Sequence, residues 1–196
     1  MTIYCGVRAG DGISEFYKDT LMQNIKGVGP VAVVGYMSDE TSIEMTQLWE
    51  SPFEGDTAGN AGGKEKAAQV AQTLVGMTTK TSWNSKMVWG GAEALNFNIK
   101  LQFIAYSDAK VEVNDAIKYL MMMSSPNTGL TPLQAVPGVV KLNLGRRILT
   151  DVYIKSVSYN EAAPKTKDGF FTHNEIVLEL SIDGALNASE VAVVFK

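Results

Sequence analysis

The chain has 196 residues, is 45% hydrophobic and carries a formal net charge of -4. That is enough apolar sequence to bury a sizeable core in one domain, and a mean hydropathy near zero excludes a disordered chain. No apolar run approaches the roughly 20 residues that cross a bilayer, and the net acidity argues against a protein that grips nucleic acid by neutralising phosphates.

Residues 1–29 mix charge with Gly6, Gly10, Gly12, Gly27 and Gly29 and hold no sustained period. They read as an irregular or partly extended arm with a short helical turn near Glu15–Met22, either a loose terminus or an arm that orders against a neighbouring subunit. The start of the chain lacks the basic-then-apolar layout of a secretory signal, and the lone Cys5 permits no internal disulfide, which favours a reducing compartment. Residues 30–196 read as a single β domain. Pro30–Tyr36 is β-branched and predicts a strand, with Thr41–Trp49 expected to return as its hairpin partner. Ser51–Lys64, rich in glycine, predicts a long surface loop. Ala67, Val70, Ala71, Leu74 and Val75 then recur at helical spacing, with Gly76 as a stop. A second irregular stretch covers 76–93.

The clearest pattern lies at Ala94–Phe103. Leu95, Phe97, Ile99, Leu101 and Phe103 alternate with Asn96, Asn98, Lys100 and Gln102, so a half-buried strand with a wet outer face is expected. Ser107 and Asp108 offer capping oxygens, and Val113, Ala116, Ile117, Leu120 and Met121 form the stripe of an amphipathic helix that Ser124–Asn127 ends. After the proline-marked loop 126–137, strands are expected at Val139–Leu144, Ile148–Tyr159 and His173–Ile182. A phase shift between Ile154 and Val157 predicts a β-bulge. Val152, Ile154, Val157 and Tyr159 are candidate core residues, and Val191–Phe195 is a last apolar segment. The inventory is α+β and mainly antiparallel, a β-sandwich or small barrel with one flanking helix and a second short helix.

Chemistry is sparse. Ala58–Glu65 fails the Walker A pattern at both ends, with Ala58 where glycine is needed and Glu65 where Ser or Thr holds magnesium. His173 is the only histidine and has neither a paired nucleophile nor ligand-spaced partners, so no catalytic residue, metal site or cofactor is expected. Trp83 and Trp89 sit in a loop with Lys80 and Lys86. They read as a lid on the core, as interface anchors, or as a platform for single-stranded nucleic acid. Arg146 and Arg147 end a strand and read as a solvated hairpin tip or a partner contact, with the acidic residues between Asp39 and Asp56 as a possible complement.

Trp89-Gly90-Gly91, the strand Leu95–Phe103 and Tyr106-Ser107-Asp108-Ala109-Lys110 opening a helix, with the later runs Pro137–Leu142, Asp151–Ser158 and Ile176–Leu180, resemble the tail-tube-fold proteins of contractile bacteriophage tails. The likeness covers about residues 83–183 and looks like a baseplate component that starts the inner tube on the central hub. It implies a tail-tube-type domain whose copies join into a ring, six-fold in that family, that contacts hub, wedge and tube proteins. Genomic DNA would pass through the lumen without specific binding, in the virion and away from any membrane. Trp83, Trp89, Arg146 and Arg147 are then candidate partner contacts, and Asn96, Asn98, Lys100 and Gln102 a candidate lumen face. The alternatives are a major tube protein or a tail-terminator ring and, in another class, a small-ligand-binding β-barrel with the tryptophans at its mouth.

Overall fold

A computed structural model describes residues 1–8, 10–50, 87–126 and 136–196. The expected loop at 51–64, the helix over Ala67–Val75, most of the irregular stretch from 76 and Trp83 lie outside the described residues. Two compact units are present, one built from Met1–Met45 and Ala94–Lys196, the other from Thr46–Glu93.

The strands of the first unit are β1 (Ile3–Gly6), β2 (Lys18–Ile25), β3 (Gly29–Met37), β4 (Ser42–Glu44), β7 (Asn96–Ile104), β8 (Val140–Leu144), β9 (Ile148–Tyr159) and β10 (His173–Ser181). The second unit contributes β5 (Gln47–Glu50) and β6 (Val88–Ala92), an antiparallel ribbon. In the first unit, β3, β2, β8, β9, β10 and β7 pair antiparallel in that order, and β7 pairs back onto β3. The result is a closed barrel, which leaves no free edge within the ring. Closure runs through only Tyr36↔Gln102 and Met37↔Leu101. It depends on Gly35, because a Cβ there would lie 2.9 Å from the Phe103 ring and 3.1 Å from the Leu101 Cβ. β1 pairs parallel with Val31–Val34 of β3 on one side of the closure, and β4 pairs antiparallel with Asn96–Asn98 of β7 on the other.

The alternation at 95–103 meets its expectation: Leu95, Phe97, Ile99, Leu101 and Phe103 are each 2% exposed or less. They share one buried cluster with Leu21, Val33, Leu142, Val152, Leu178 and the stripe of the flanking helix. That helix, α1 (Asp115–Ser124), follows a π-helical turn over Lys110–Asn114. It packs on β9, β3, β1 and β2. Val113, Ala116, Ile117 and Leu120 are buried as expected, but Met121 is 42% exposed and Met123 takes its place in the core. The reason is angular: at about 100° per residue, Met121 stands about 100° from Leu120 and Met123 only about 60°.

Several expectations are corrected. Residues 1–29 are partly extended, as one reading had it, but not an arm: the helical turn is there at Glu15–Tyr17, and β1 and the barrel strand β2 flank it. Glycine and charge hide β2, because it turns Asp19 and Gln23 to the same side as Leu21 and Ile25 and so breaks the apolar alternation. β3 therefore makes its hairpin with β2 rather than with Thr41–Trp49, and the Ser38 N–H, donating to the Lys100 carbonyl, carries the chain over to β7. Val88–Ala92 is strand, not irregular. Tyr159 is 37% exposed, with its ring edge-on to Phe171. The bulge is where expected: Glu179 faces Ser156 and Leu180 faces Ile154, which leaves Lys155 as the extra residue. The terminal apolar segment forms α2 (Ala188–Val194), started by a capping box in which Asn187 Oδ1 accepts from the Glu190 N–H and Glu190 Oε2 accepts from the Asn187 N–H. Among the described residues no helix is long and apolar enough to cross a membrane.

Candidate functional site

The outer face of β7 is a strip of engaged polar groups. Pairing with β10 sets Asn96, Asn98, Lys100 and Gln102 opposite Ser181, Glu179, Val177 and Glu175. Lys100, 19% exposed at its side chain, donates to Glu40 Oε2 at 3.0 Å and lies 3.1 Å from Glu175 Oε2. Its two acceptors, Glu40 first, raise its pKa. Gln102 donates to Glu175 Oε1 at 3.2 Å. The bulge at Lys155 swings its ammonium onto Asn96 Oδ1 at 2.7 Å. Asn98 lies between Ser42 and Glu179. All four residues expected on one wet face are therefore on it, and both lysines there are bonded within the chain.

Of the residues expected at partner contacts, Trp89 lies on β6, cross-strand from Trp49. The rings are 57% and 55% exposed, and the Trp89 Nε1–H donates to Gln47 Oε1 at 3.1 Å. Leu48, Met87 and Val88 are also exposed, so this ribbon presents apolar side chains to solvent. Arg146 and Arg147 sit in the β8–β9 turn, where Gly145 and Arg146 have φ of 53° and 57°. These values suit the two central residues of a type I′ turn, closed by the Arg147 N–H on the Leu144 carbonyl, and with Leu144 opposite Ile148 the connection spans three residues. Arg146 lies 3.8 Å from Glu15 Oε2, a loose pairing within the chain, and its N–H donates to Asn143 Oδ1. Arg147 is exposed, and its carbonyl accepts the Lys196 N–H. Among the described residues of this unit, Arg146 is thus paired with Glu15 and not with Asp39, Glu40 or Glu44.

Three polar arrangements were not legible in the sequence. Lys18, nearly buried, donates to Asp11 Oδ1 at 2.7 Å and to Glu15 Oε1 at 3.2 Å, while the Tyr36 hydroxyl donates to Asp11 Oδ2 at 2.6 Å. The Lys18 and Tyr36 hydrogen bonds pull Asp11 down to about 2. Burial opposes the Lys18 charge, yet its carboxylate partners outweigh that and raise its pKa. Glu112, 2% exposed, gathers the N–H groups of Tyr106 and Ser107, the Ser107 hydroxyl and the Arg8 Nε at 3.0 Å. Burial alone would raise the Glu112 carboxyl, but these donors hold it below the usual carboxylate range. Asp19 is fully buried, with Oδ1 accepting from the Gly145 N–H at 3.0 Å and Oδ2 without a partner. Only Glu112 left a trace, as a carboxylate just inside a Ser-Asp helix start, though at a spacing outside the usual capping box.

His173 is exposed, beside the Thr172 hydroxyl. Cys5 is buried, and burial, with a smaller push from Asp115, moves its thiol up to about 12. Such a thiol is a packing residue. Comparison with protein-family models and with curated proteins found no match.

Proposed function

We propose that the chain is a structural subunit of a contractile phage tail baseplate, forming a ring that links the central hub to the inner tail tube and lines the DNA channel. The reading assigns it no catalysis and no cofactor. The observation that carries it is the β7 strip: one face of the strand anchors the barrel core, and the other presents amides together with Lys100, whose charge Glu40 and Glu175 offset. A wall of that kind offers DNA few free cations, so a polyanion slides past rather than binding. The sequence resemblance, the antiparallel barrel and the apolar ribbon bearing Trp49 and Trp89 are in keeping with a tail-tube-type subunit that needs partners. A major tube protein or terminator ring would share all of these features.

The small-ligand barrel fares worse. It requires space inside the barrel, and that interior holds Phe97, Phe103, Leu101, Leu21, Leu142 and Leu178, all fully buried. Electron microscopy of purified tails with this chain labelled tests the proposal. A label in a ring around the channel, with the β7 strip turned inward, is expected. A chain absent from tails and monomeric at every stage would refute the assembly role, and a strip turned toward the sheath would refute the lumen assignment alone.

A further inference from the structure

We infer that Asp19 is a proton-operated latch on the β8–β9 turn: while its carboxyl is neutral the turn is clamped to β2, and loss of the proton to solvent releases Gly145 and the arginines that follow it. The geometry is that of a clamp. The Gly145 N–H is shared between Asp19 Oδ1 at 3.0 Å and the Lys18 carbonyl at 3.3 Å. The turn has little slack, because a Cβ on Gly145 would come 2.7 Å from the Phe16 carbonyl oxygen and 3.1 Å from the Met37 methyl. The second carboxyl oxygen is sealed from water and meets no donor. An ionised Asp19 would hold a full charge there on a single hydrogen bond, a state that favours opening to water.

Among the described residues no neighbouring charge relieves it. Its cross-strand neighbours are Gly35 on β3 and Leu144 on β8, neither of them titratable. Lys18 and Tyr36 point to the opposite face of their strands and are held by Asp11. Glu15, on the turn before β2, is taken by Lys18 and lies near Arg146, while Tyr17 is exposed. Arg146 and Arg147 are exposed on the turn itself, where the Lys196 N–H meets the Arg147 carbonyl. Burial, opposed only by the Gly145 hydrogen bond, places the Asp19 midpoint at about 7.

The test is an NMR titration of the isotope-labelled full chain, following the Asp19 carboxyl carbon and the exchange protection of the Gly145 amide. The carbon is expected to titrate near neutrality, and Gly145 protection, corrected for intrinsic exchange, to fall about tenfold or more as pH rises toward that midpoint and to level off above it. Asp19→Asn, which keeps the acceptor oxygen and cannot ionise, should hold Gly145 protection constant. A carboxyl that titrates in the ordinary aspartate range, protection that ignores its ionisation, or an equal loss in Asp19→Asn would each overturn the latch. If Asp19→Asn does not fold, the two wild-type titrations decide alone. The experiment needs no ring, so its outcome is independent of the tail reading.

Discussion

Asp19 also ties the stability of the barrel to pH. Its folded midpoint of about 7 lies above the ordinary value of 3.8, so between them the native state keeps a proton that the unfolded chain has lost. Stability contributed by the neutral acid is full below the unfolded value and is lost as pH rises through that window. Asp19→Asn removes the dependence. Thermal melts should find it more stable than wild type at alkaline pH, by up to about 4 kcal/mol at the usual conversion of a pKa difference, with the gain shrinking toward acid. Glu112 has the opposite sign: its depressed carboxyl stabilises the fold above the ordinary glutamate value, and that contribution is lost as pH falls through its folded midpoint. Glu112→Ala should cost about 3 kcal/mol at neutral pH in a denaturant titration, because it strands the donors of Tyr106 and Ser107. Neither acid stands out by composition. Glu112 leaves a trace at its helix start, whereas Asp19 became identifiable only once the chain had placed it under a turn.

At the scale of elements, strand ends and turns are held by local chemistry. β1 joins β3 through a tight approach at Gly6, where φ is 89° and a Cβ would lie 2.1 Å from the Val34 carbonyl oxygen. Gly6→Ala should therefore cost about 2 kcal/mol or more, combining backbone strain with the displacement of β1, and a lowered melting temperature is the readout. The alternation of β7 and the bulge in β9 are legible because a strand with one buried face must repeat every two residues, and any insertion shows as a phase jump. β2 is not legible, since its inward positions include Asp19 and Gln23. α2 shows the same limit: its apolar segment is visible, but the Asn187–Glu190 box decides helix over strand. The exchange of Met121 for Met123 in α1 is a finer case, where two methionines on nearly opposite sides of the helix, about 200° apart, could each extend the stripe.

For the whole molecule, the ribbon and the strip make separable predictions under the proposed tail role. Replacing Trp49 and Trp89 together by serine should leave the barrel's melting temperature unchanged while lowering incorporation into tails, measured by quantitative blotting of purified particles. Equal incorporation would remove the ribbon from the assembly surface. Asn98→Lys with Gln102→Lys adds two positive charges to a strip whose existing lysines are already bonded. Tails should still form, but genome release should slow, and the slowing should ease as salt rises, because each added phosphate contact contributes about one counterion to the salt slope. Release at the wild-type rate in low salt would count against DNA running along this strip.

The chain by itself determined the two-faced character of Asn96–Ile104, the flanking helix, the long C-terminal strands and the mainly antiparallel class. Each rests on a local period that burial enforces, wherever the partner strands come from. Only the tertiary structure decided which strands are neighbours: β2 between β3 and β8, β7 closing onto β3 beside Gly35, and β4 on β7 instead of on β3. It also decided that Lys100 is a neutralised lysine rather than a free one, and that Asp19 is sealed beneath Gly145. Those outcomes depend on contacts between residues far apart in the chain, and no local period encodes them.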